Sequence, residues 1–76
     1  ILIFDNEKRN TEIVKMIEVA IKSGHDVVIW PDTIKQKDIN EMVMSGISPD
    51  EIEEIISNNT FTGLKAQMRF VNWKKI

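Results

Sequence analysis

Two short apolar runs, Ile1-Leu2-Ile3-Phe4 and Val27-Val28-Ile29-Trp30, constrain this chain more than anything else in it. Each is rich in strand formers, and each is closed by turn chemistry, Asp5-Asn6 after the first and Pro31 after the second. The runs are continuous rather than alternating, the pattern of strands covered on both faces in a parallel sheet. Between them Asn10 can cap a helix from Thr11 to Ser23, with Ile13, Met16, Ile17 and Ala20 at helical spacing and Gly24 as the stop. Strand, helix, strand is a βαβ unit, with a right-handed crossover and parallel strands. The expected class is α/β, a Rossmann-like parallel-strand unit followed by C-terminal helices.

The rest of the chain reads as helices. Asp38 can cap a short one through Met44, closed by Gly46. Ser48-Pro49-Asp50-Glu51 combines a capping serine, proline at the first helical position and glutamate three residues after the cap. That helix runs through Ile52, Ile55 and Ile56 to a break at Asn58-Asn59. Thr60 or Thr62 then opens a last helix with Phe61, Leu64, Met68 and Val71 on one face and Trp73 and Ile76 packed near it. Without repeats or linkers, residues 1–76 form one unit, an α/β part over 1–46 and a helical tail over 47–76. The chain opens inside an apolar run without methionine, so it is expected to be a fragment of a longer protein.

With 76 residues and no cysteine, the chain has neither disulfides nor a cysteine-based zinc site. Its one histidine, His25, follows Gly24 at a helix-to-strand turn, an ordinary surface position. The net charge of −2 argues against nonspecific nucleic-acid binding by this chain alone. Asp50, Glu51, Glu53 and Glu54 form an acidic block, and Lys65, Arg69, Lys74 and Lys75 make the end basic. Both are expected to be solvated helix faces. No apolar run approaches the roughly 20 residues that span a bilayer, and no signal-peptide pattern is present. Trp30 is expected to be partly buried, at an edge where a base could stack.

The chemistry lies in the acids. Asp5 and Glu7 leave the end of the first strand, and Asp32 and Asp38 follow the second on the same edge of the sheet. Ligands of open α/β sheets sit at such carboxyl ends. Magnesium takes hard oxygen ligands, often one or two carboxylates completed by water and substrate phosphate. The plainer alternative is that these acids cap helices and face water.

The order Phe4-Asp5-Asn6-Glu7, helix, Gly24-His25-Asp26-Val27-Val28-Ile29-Trp30-Pro31, then Lys37-Asp38-Ile39-Asn40 resembles the carboxyl-terminal half of the Toprim domain in DnaG-type DNA primases. Within that family, Trp-Pro followed by Lys-Asp-Ile-Asn, and Asn-Thr-Phe-Thr-Gly-Leu-Lys-Ala after it, are similar to the primases of T4-like phages. The resemblance covers nearly the whole chain through short motifs, so its weight lies in their order and spacing. It implies a partial Toprim fold and a nucleotidyltransferase parent that makes RNA primers for replication. Asp5 matches the first acid of the family's Asp-x-Asp pair, and Glu7 stands at the second. Asp38 matches the first acid of the later pair, where Asn40 replaces the second. The resemblance thus implies Asp5, Glu7 and Asp38 as ligands of Mg2+ or Mn2+, with Asp5 and Glu7 catalytic. The family's Ala-Gly step is replaced by Lys8-Arg9-Asn10, where Lys8 and Arg9 could contact phosphate or nucleotide.

Also implied are nucleoside triphosphates and a single-stranded DNA template as partners of the full-length protein, a replicative helicase as a further one, and the host cytoplasm as location. The family's upstream glutamate lies on a strand not in this chain, so the chain alone is expected to be inactive. A sheet edge left uncovered could pair with a second copy. Competing readings are the Toprim domain of a topoisomerase or nuclease and a non-catalytic replisome docking module with Phe70 and Trp73 exposed. A receiver domain shares the opening strand and acids, but it needs a third strand with an acceptor aspartate, and none can be drawn after Pro31.

Overall fold

The second apolar run is the centre of the molecule. In the computed structural model, which describes residues 1–76, the elements in order are α1 (Thr11–Lys22), β1 (Val27–Val28), α2 (Ile39–Met44), α3 (Pro49–Asn58), β2 (Thr60–Phe61) and α4 (Gly63–Trp73). β1 pairs antiparallel with β2, Val27 opposite Phe61 and Val28 opposite Thr60. On its other edge β1 meets Leu2 in a parallel bridge. There the Leu2 N–H donates to the Asp26 carbonyl at 2.8 Å and the Val28 N–H to the Leu2 carbonyl at 3.0 Å.

Alternation along the central run sorts the helices into two layers. Val27 and Ile29 pack with Val14, Ile17, Ala20 and Ile21 of α1 and with Ala66, Phe70 and Trp73 of α4. Val28 and Trp30 face the other way, onto Ile34, Met42 of α2 and Ile52 of α3. Both layers therefore draw on residues beyond 46. A run buried on both faces is what its uninterrupted apolar sequence requires.

The helix boundaries follow their caps. The Asn10 side chain accepts from the N–H groups of Glu12 and Ile13, Asp38 from Glu41, and Ser48 from Glu51. Gly24 (φ +86°) and Gly46 (φ +99°) end α1 and α2 in the left-handed region, where a side chain would be strained.

Three expectations are corrected. Ile1, Leu2 and Ile3 are exposed and Phe4 only half-buried, because this run lies at the edge of the sheet, with one bridge on one side. Of the two starts expected for the last helix Thr62 is the N-cap, while Thr60–Phe61 is a strand, since the open edge of β1 satisfies its backbone. On α4 the buried face is Ala66, Phe70 and Trp73, while Leu64, Met68, Val71 and the following Ile76 are exposed. The helix carries two apolar stripes. The one containing small Ala66 lets α1 approach, and Trp73 fixes the rotation by a hydrogen bond described below. No helix is long and apolar enough to cross a membrane.

Candidate functional site

The turn after the first run is organised by Asn6, the one buried polar residue of the protein at 9% exposure. Its side-chain N–H donates to the carbonyls of Ile34 at 3.0 Å and Gln36 at 3.1 Å. Its Oδ1 accepts from the Trp73 indole N–H at 2.9 Å. Its backbone N–H donates to the Lys37 carbonyl at 2.6 Å. One side chain thereby ties the turn at 5–7, the loop at 34–37 and the last turn of α4. A second tie lies just above it, where the Trp30 indole donates to the Phe4 carbonyl at 2.9 Å. Trp30 is fully buried rather than partly so, and its ring is unavailable for stacking on a base. Phe70 and Trp73 are likewise core, not an exposed docking face.

The Asn6–Lys37 hydrogen bond separates two clefts. On one side Asp5 and Asp38 line a common hollow of about 300 Å3 together with Phe4, Trp30 and Asn40. Asp38 is partly committed, since its Oδ1 accepts from the Glu41 N–H at 2.8 Å and caps α2. On the other side Glu7, Lys8 and Arg9 line a cleft of about 690 Å3 shared with Lys35, Lys37 and Lys75. Asp32 belongs to neither. It lines a third hollow beside Arg69 and grips Lys8 at 3.0 Å. That hydrogen bond, and then the charge of Lys8, hold the Asp32 carboxyl below its ordinary value, with smaller help from Lys75 and Lys35.

The expected gathering of acids is therefore only partial. Asp5 and Asp38 come together, Glu7 opens into the neighbouring basic cleft, and no three acidic or histidine side chains converge. Asp5, Asp38 and Asn40 are the residues of this hollow that could hold a magnesium ion, which takes few protein ligands and keeps several waters. Lys8 and Arg9 line the basic cleft with Lys35, Lys37 and Lys75. Sequence reasoning missed Asn6, Lys35 and Lys37 as parts of this region. The signal for the lysines was there, since both follow the second run on the same edge as Lys8 and Arg9. The acidic block at 50–54 and His25 lie exposed, as solvated positions.

No family model matches the chain. It is nevertheless related to a DNA primase of phage origin. That relative is the DNA primase of Enterobacteria phage T4, 34% identical over 76 residues, an alignment that takes in 97% of this chain. The chain spans 22% of the length of that protein.

Proposed function

We propose that this chain is part of a Toprim-type primase and supplies carboxylates that hold a divalent ion for nucleotidyl transfer in the full-length protein. The observation that carries the reading is the shared cleft of Asp5 and Asp38 at the carboxyl ends of the two apolar runs. Relation to a phage primase favours primer synthesis over the other reactions of Toprim acids. A bound magnesium or manganese ion would polarise a nucleotide phosphate and stabilise the attacking and leaving oxygens. The chain's own part is to position. Trp30 bolts the Phe4 carbonyl next to Asp5, and the cap bond to Glu41 fixes the Asp38 carboxylate, leaving its other oxygen for a ligand. Such outer partners keep ligands in place before the ion arrives. Nucleoside triphosphate, a single-stranded template and a helicase would be partners of the whole protein, working in the host cytoplasm.

Manganese titration followed by backbone NMR tests the site. Broadening centred on Asp5 and Asp38, lost in Asp5→Ala, is the expected result. Broadening spread over Asp50 to Glu54 and unchanged by that substitution would refute it.

A further inference from the structure

We infer that the basic cleft on the far side of Asn6 is a binding site for the phosphodiester backbone of single-stranded nucleic acid. Lys8, Arg9, Lys35, Lys37 and Lys75 line it, with Glu7 as the only acid on its walls. The chain as a whole carries −2, so this concentration of positive charge is local. Its members come from three separate stretches: the turn before α1, the loop after β1 and the segment after α4.

The backbone segments that carry these cations are tied to one another. Asn6 bonds the carbonyls of Ile34 and Gln36 with its side chain and that of Lys37 with its N–H. The Lys75 N–H donates to the Lys8 carbonyl at 2.9 Å, docking the end of the chain against the first turn. Crowding like charges works against folding. Here one exposed ion pair, Lys8 with Asp32, offsets it in part and leaves four cations without a carboxylate partner. A fold that assembles such a cleft through a buried hydrogen-bonded asparagine is built for an anion with several charges in a row. A nucleic-acid strand offers this along its whole length, and it could continue past the Asn6–Lys37 bond toward Asp5 and Asp38. The choice of nucleic acid as the polyanion rests on the primase reading above.

The test is fluorescence anisotropy of a labelled single-stranded oligonucleotide across a salt series, in EDTA so that the acid cleft plays no part. Lys35→Ala with Lys37→Ala should weaken binding by about tenfold or more at low salt. It should also reduce the steepness of log K against log salt by roughly 1.4, since each phosphate contact on a single strand contributes about 0.7. Asp32→Asn, which frees Lys8, should tighten binding. Lys15→Ala with Lys22→Ala on α1 should change neither affinity nor slope. If those α1 lysines matter as much as Lys35 and Lys37, binding is diffuse and the inference fails. It fails also if nucleoside triphosphate saturates the cleft while the oligonucleotide does not bind. Circular dichroism confirms that each variant is folded. Because EDTA excludes the ion, failure here leaves the manganese result standing, and loss of manganese binding leaves this result standing.

Discussion

The two apolar runs are close to interchangeable in composition, yet Val27-Val28-Ile29-Trp30 is the best-buried stretch of the protein and Ile1, Leu2 and Ile3 keep 74%, 37% and 43% of their surface exposed. The difference is position. β1 has a neighbour on each edge and a helical layer on each face, whereas the first run has β1 on one edge only. Residue type favours strand in both segments; the number of neighbours decided that the second is a paired strand and the first makes a single bridge. The central run holds the two helical layers together. The edge run delivers Asp5 and Asn6 to the end of the sheet.

Substitutions can break that contrast. Val28→Asp places a charge without a partner between α2, α3 and the sheet, a change costing several kcal/mol. With only 15 of 76 residues buried, the protein has little reserve, and Val28→Asp should be unfolded by circular dichroism at 25 °C. The matching Ile3→Asp should keep a cooperative thermal transition, with a loss of stability of no more than about 1 kcal/mol. Equal damage from both would mean that the edge run is packed as tightly as the centre.

The same contrast recurs within α4 at somewhat smaller scale. Phe70→Ala should cost about 3–5 kcal/mol in urea unfolding, whereas Leu64→Ala on the exposed stripe should stay within about 0.5 kcal/mol. A reversed order would show that α4 packs by its other face.

Asn6→Ala sharpens the role of the edge run as a carrier of the site. It leaves the Trp73 indole N–H and two carbonyls without their partner, at about 1–3 kcal/mol for each group that stays buried and unpaired. The signature to look for is faster amide exchange at residues 34–37 and 73–75, with β1 protection falling less.

The smallest effect concerns pH. Asp32 has a lowered folded-state value, so its pairing with Lys8 stabilises above its ordinary value of 3.8 and is lost as pH falls through the lowered one. Urea midpoints should fall below about pH 4 less steeply in Asp32→Asn than in the parent chain. The Asp32 carboxylate is exposed, so the gap should be slight. A gap as large as that of a core substitution would mean the pair is far better shielded than its exposure indicates.

What the sequence made legible follows from how local each signal is. Asn10, Asp38 and Ser48 cap helices that begin where their side chains say, and Gly24 and Gly46 stop them. The strand at Thr60–Phe61 was not legible, because two residues carry no periodicity and their pairing is set by Val27 and Val28, more than thirty positions away. Nor was the rotation of α4. Leu64, Met68 and Val71 form as good a stripe as Ala66, Phe70 and Trp73, and only the docked fold chooses between them. At the candidate site, Asp5 and Asp38 could be drawn together from their places after the two runs. Asn6 gave no warning, since an asparagine after a strand is an ordinary turn residue until three segments close over it.

The Trp73–Asn6 hydrogen bond joins positions 67 apart, near the two ends of the chain. During synthesis Asn6, Lys8, Arg9, Lys35 and Lys37 are all made while the cleft still lacks its last wall. Only when Trp73 and Lys75 have been made can Asn6 be satisfied and the lysines drawn into place. A nascent or truncated chain therefore carries the acids of Asp5 and Asp38 well before it carries the finished basic cleft beside them.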